Sequence, residues 1–237
     1  MNNFNFESHS EGDWEDAGHL SWNEHDWQQY LQRTDEEVGR FSQYYKSSKD
    51  QPNYLDNIAH LMGWDDEDWA VGAETDEEQM TETALEIEGN ASLEEDDDDN
   101  DPYTLHRHPV YVVVRALYAD IRRDWNTLLE SPGLPLFSMK QLWGFSSILY
   151  EGEMALHFAV VALDMGDVAL AVCHFKKALF FVNQAFAQMS EWEATRKDTL
   201  THALIESCFK RLFDVREICL RVMQDCREEF NRQNKDL

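Results

Sequence analysis

From Glu74 to Asp101 the chain contains no lysine or arginine, and elsewhere it lacks most of the marks of a secreted, membrane-spanning or catalytic protein. Its four cysteines include no CxxC pair, and the N-terminal residues are polar rather than apolar. Both features argue against a disulfide framework and a secretory leader, so a reduced, cytoplasmic chain is expected. No uninterrupted apolar run reaches the eighteen residues a membrane span needs. There is no phosphate-binding glycine loop, no GxGxxG, no GxSxG and no HExxH, so the common signatures of nucleotide, hydrolase and zinc-protease chemistry are missing.

Acid is what the chain has in excess. Of the net charge of −27, almost all falls in the first part: residues 1–101 hold 30 acidic and 4 basic side chains, residues 102–237 hold 17 and 16. Such a front part repels nucleic acid and anionic lipid, and neither is expected as a partner. The segment closing in Glu94-Glu-Asp-Asp-Asp-Asp-Asn-Asp101 has no aromatic residue and repels itself, which predicts a linker over 73–108. Asp97, Asp99 and Asp101 alternate as in a calcium loop. The sixth and twelfth positions are Pro102 and His108, where such a loop requires glycine and glutamate, so calcium is not expected there.

Ahead of the linker, Ser21-Trp-Asn-Glu24 has the spacing of a capping box. Trp27, Leu31, Val38, Phe41 and Tyr45 then recur at helical spacing, and a short helix with Tyr54, Leu55, Ile58, Leu61 and Met62 ends at Gly63. These residues define an acidic, tryptophan-rich appendage, 1–72. Its Trp27, Trp64 and Trp69 are candidate interaction residues, because aromatic rings among acids need a surface to cover, in this chain or in a partner.

Residues 109–237 read as an antiparallel four-helix bundle, which makes the chain all-α. Pro109 suits a first helical position, and Val110, Val114, Leu117, Ile121, Trp125 and Leu128 continue at helical spacing through 109–130. Ser138-Met-Lys-Gln141 opens a helix over 139–165, Gly166 stops it, and Asp167 caps another over 168–189. The stretches 154–163 and 168–175 are apolar on nearly every side, which predicts that this hairpin is the inner layer. Gly166 with Ala171, Phe175, Ala178 and Leu179, and Ala159 and Ala162 before it, is similar in spacing to a tetratricopeptide repeat. The resemblance covers one repeat, residues 152–185, and implies a helical hairpin. A peptide groove made of stacked repeats does not come with it. Ser190-Glu-Trp-Glu193 is a third capping box, placing the last helix at 191–231. Ile205, Cys208, Leu212, Val215, Cys219, Val222, Cys226 and Phe230 form a seam along it, available for packing on the appendage or for self-association.

Three functions follow from these residues. A non-catalytic protein-interaction or scaffold module, without cofactor, accounts for the acidic arm, the tryptophans and the seam. A metal-binding bundle is the alternative: Glu153 with His157, and His202 with Glu206, are each four residues apart on one helix face, and His174 lies on a third helix, so five side chains could surround a divalent ion. The third reading is phosphotransfer. His174-Phe-Lys-Lys177 resembles the core of a histidine phosphotransfer domain, with a lysine three residues on to neutralise a phosphoryl group; Ala178 replaces the glycine which that family has next.

Overall fold

The computed structural model describes residues 22–48, 52–64, 105–130, 137–195 and 199–233. They form six helices and, among the described residues, no strand: α1 Glu24–Ser48, α2 Tyr54–Met62, α3 Pro109–Leu129, α4 Met139–Asp164, α5 Val168–Thr195 and α6 Thr199–Gln233. The chain is all-α. Helices α3, α4, α5 and α6 close a ring of contacts into a packed bundle, α1 lies on α3, and α2 lies on α1.

Local chemistry sets the helix ends. His108 is extended, with φ −56° and ψ 127°, and its Nδ1 accepts a hydrogen bond from the Val110 N–H at 3.2 Å, so it caps the helix that Pro109 begins. Ser138 and Gln141 form the expected capping box on α4. At the far end of α4, Gly166 takes φ 72°; the Asp167 N–H reaches the Ala162 carbonyl and the Gly166 N–H the Leu163 carbonyl, both at 2.9 Å. This is a Schellman turn, and the Asp167 carboxylate then accepts from the Leu170 N–H at 2.9 Å to start α5. Gly63, with φ 80°, closes α2 in the same way and swings Trp64 over the Phe41 ring, 6.0 Å away and nearly parallel.

Two helix starts differ from the sequence expectation. The first helix is capped by Asn23, whose side chain accepts from the His25 and Asp26 N–H groups while Asp26 accepts from the Asn23 N–H. Ser21 lies outside the described residues, and Glu24 is the first helical residue rather than the third. No helix begins at Ser190. Helix α5 instead continues to Thr195, because Trp192 is fully buried among Trp125, Phe137 and Phe145, with centroids 6.0, 5.0 and 4.9 Å away. The gain from burying those rings outweighs a local cap worth about 1 kcal/mol.

The largest correction concerns the inner layer. Helix α3, not the α4–α5 hairpin, is the buried element: Val110, Tyr111, Val112, Val113 and Val114 are all buried, and five successive residues go right round a helix. Helix α1 covers the side of α3 that the bundle leaves open, and Phe41, Tyr45, Ile58 and Met62 belong to the same core as the bundle residues. The described part of the appendage therefore packs on the bundle of its own chain. Residues 65–104, including Trp69, the acidic run and most of the expected linker, lie outside the described residues.

Helix α4 approaches α3 closely at Gly152. A Cβ there would sit 2.8 Å from the Tyr118 hydroxyl, and Tyr118 is itself buried and unable to swing away. Gly152→Ala is expected to destabilise the protein by about 1–2 kcal/mol despite the better helix propensity of alanine. Adding Tyr118→Phe should recover much of that loss in a thermal-denaturation cycle, whereas equal losses with and without the hydroxyl would contradict the contact.

The cap of α3 predicts an acid limb. Burial pushes His108 down to about 4 from 6.5, with Asp164 opposing weakly. A folded value below the unfolded one gives stability that is complete above pH 6.5 and is lost as pH falls towards 4. That window is worth on the order of 3 kcal/mol at 1.36 kcal/mol per unit. His108→Asn keeps a capping oxygen and cannot titrate, so its stability measured against pH should fall less than that of the wild type between those limits.

Candidate functional site

The five expected metal ligands are not brought together. Glu153 is buried and paired with Arg122 of α3. His157, one turn on, is half-buried beside Tyr111, with ring centroids 5.5 Å apart. Its Nε2 is buried without a hydrogen-bond partner. Burial holds its pKa below the ordinary value, with Arg115 and Arg122 adding to the effect and Glu153 opposing it. His174 lies instead against Phe158, 5.5 Å away, while His202 and Glu206 are exposed on α6. Among the described residues, no three His, Cys, Asp or Glu side chains are placed to hold a metal ion. A spacing of four puts two ligands on one face of a helix; it does not turn the faces of three helices towards one another.

The same positions bear on phosphotransfer. Lys177, the lysine three residues after His174, is 3.8 Å from Glu151 of α4, so its charge already has a counterion. Cys208, Cys219 and Cys226 are buried in the α6 seam, and burial pushes their thiols up to about 12, 12 and 11. They pack as apolar side chains and are not activated.

A cleft of about 760 Å³ lies where α1, α3 and α4 meet. Its walls carry Lys46, Arg115, Arg122 and Arg123 facing Asp35, Asp120 and Glu153, with His157 among them. The cations are already matched. Arg115 reaches Asp35 at 2.9 Å, Arg122 holds Glu153, and Asp120 takes Arg123, Lys46 at 3.4 Å and the Ser42 hydroxyl at 3.4 Å. A buried carboxylate is tolerated only with such partners, so the cleft reads as the seat that keys α1 onto the bundle.

A second polar key lies on α6. The buried Asp214 carboxylate accepts from the Tyr45 hydroxyl at 2.5 Å and from that of Tyr54, joining α1 and α2 to the bundle. Burial raises the Asp214 pKa, with the two hydroxyls, Lys210 and Arg211 opposing. Both tyrosines are shifted far above 10, first by burial and then by their bonds to Asp214.

Of the expected interaction tryptophans, Trp64 stacks on Phe41 and Trp27 meets Trp22 and Tyr30 edge-on at 5.1 and 5.9 Å; both rings are used inside the chain. The α6 seam is likewise occupied: Ile205 through Cys226 of that row are buried, and only Phe230 at its end is exposed. Exposed apolar side chains occur on several helices, Phe180 of α5 and Phe209, Phe213 and Leu220 of α6 among them, and the longest row lies on α4. Met139, Trp143, Tyr150, Phe158, Val161 and Met165 face water on one side of it, with Trp143 71% exposed, Met165 66% and Tyr150 61%. No charged residue occurs in 141–150 or in 154–163. Apolarity on nearly every side predicts burial inside the chain; the signal that marks the outer row is its spacing, 139, 143, 150, 154, 158, 161 and 165, a single stripe at helical period.

The tyrosine pair yields an alkaline prediction. Their raised folded values give stability that is complete below pH 10 and is lost as pH rises beyond it. Tyr45→Phe should cost about 2 kcal/mol at neutral pH, the worth of a hydrogen bond to a charged group. In urea melts the gap to wild type should narrow above pH 10, and a gap that stays constant with pH would show the hydroxyl is not held protonated by Asp214.

Compared with known proteins, the chain matches no family model, no curated protein and no solved structure, so the repeat resemblance of 152–185 remains a likeness of spacing.

Proposed function

We propose that the protein is a non-catalytic helical interaction module whose working surface is the outer face of α4. One observation carries this reading: a 26-residue helix with two apolar faces buries one in its own chain and leaves the other, with Trp143 and Tyr150 on it, open to water. An apolar face of that extent is stable in a crowded solution only when something covers it. Tryptophan and tyrosine on such a face are the side chains that most often dominate binding energy, at roughly 2 kcal/mol or more each when truncated.

No described helix is long and apolar enough to cross a membrane, so the α4 face is not a spanning surface. The polar keys at Asp120 and Asp214 hold the module rigid, which keeps the entropy lost on binding small. A photo-crosslinking residue placed at Trp143 or Tyr150 in the full chain should form a protein adduct of defined mass in cells. The same probe at Arg227, exposed and charged on α6, should form none. Equal labelling at all three positions, or none at any, would contradict the proposal.

A further inference from the structure

The α4 stripe is symmetric about its own midpoint, and we infer that its partner is a second copy of this chain, α4 packing antiparallel on α4 across a two-fold axis near Gly152. The inference rests on the reading of α4 as an interaction face, and three observations select the occupant.

The first is register. The outward positions 139, 143, 147, 150, 158, 161 and 165, with the half-buried 154, map onto themselves, to within one residue, when the helix is reversed about 152. Reversal sets Met139 opposite Met165, Trp143 opposite Val161, Ser147 opposite Phe158 and Tyr150 opposite Met154. Large side chains meet small or flexible ones, which is the self-complementarity that an isologous interface requires. The positions also repeat every eleven residues, about 3.67 per turn, so the stripe runs nearly straight along the helix and two copies can stay in contact over its whole length.

The second is charge. The stripe itself carries none, and the half of the chain that bears it, 102–237, holds 17 acidic against 16 basic side chains. A charged partner would find nothing to pair with there, whereas a second copy brings the same neutral surface. The net acid of residues 1–101 makes two copies repel, a repulsion that salt screens.

The third is area. Side chains of this kind expose roughly 150–250 Å² each when free, and at their observed exposures the six outward residues leave on the order of 700 Å² of apolar surface. A stable dimer of standard size buries about 800 Å² per partner.

Sedimentation equilibrium of the full chain should give twice the 27.8 kDa chain mass at tens of micromolar, with association strengthened by added salt. Trp143→Glu and Val161→Glu should each return a single-chain mass with an unchanged helical circular dichroism spectrum, while Phe213→Glu, on the exposed side of α6, should leave the dimer intact. Register is read in a Cys173→Ser background: a mixture of Trp143→Cys and Val161→Cys chains should form the mixed disulfide in preference to either symmetric one. A wild-type mass of one chain at every concentration and salt overturns the dimer. So does a dimer that survives both α4 substitutions. If the mass is that of one chain and the Trp143 crosslink joins a protein of a different mass, the α4 face stands as an interaction surface and the second copy falls. If crosslinks are also missing, both fall.

Discussion

Helix α3 has almost no side left for water over its first three turns, and most of the architecture answers to that constraint. A helix lined by Val110 to Val114, Leu117, Tyr118 and Ile121 needs cover in every direction. The bundle supplies α4 and α6, and α1 supplies the rest. Each fully buried aliphatic side chain contributes about 1.5–3 kcal/mol, so exposing one flank of α3 would cost more than a typical domain can spare. The acidic N-terminal helices are thus part of the fold rather than an attachment to it.

Apolar burial brings α1 and α2 to the bundle but does not say where along it they stop. Buried carboxylates do. Asp120 on α3 and Asp214 on α6 each collect donors from the N-terminal helices: Ser42 and Lys46 at one, Tyr45 and Tyr54 at the other. A shift of one helical residue would leave both acids buried with fewer partners, a penalty of several kcal/mol per ion. The exposed pair between Arg221 and Asp56, at 2.7 Å, lies on the same side and adds little. Register therefore depends on two buried acids.

With α3 covered and α1 fixed, α4 is left with a surplus. One face packs on α3 and α5, closely enough at Gly152 that no Cβ fits. The opposite face is apolar as well, and among the described residues its Trp143, Tyr150 and Met165 stay open to water. Sites with chemistry show no such surplus: the cations of the α1–α3–α4 cleft have carboxylates within reach, the seam thiols are buried, and the five Glu and His positions do not converge. The functional reading follows from that contrast between cleft charges that are paired and an apolar face that is not covered.

By itself the sequence determined the helices, most of their ends and the uneven charge. Ser138 with Gln141, His108 with Pro109, and Gly63 and Gly166 act through hydrogen bonds within a few residues of themselves, and such local energies can be read from spacing alone. It misplaced the ends where a distant contact outbid a local cap, as Trp192 does by carrying α5 past Ser190. It also could not say which all-apolar helix lies inside. Hydrophobicity states that a face must be covered, but not by what. Packing across the fold is what lays α1 over α3 and leaves the outer face of α4 uncovered among the described residues. The metal reading failed for the same reason: four-residue spacing fixes a direction on one helix, and the angle between two helices is set by packing that no single helix encodes.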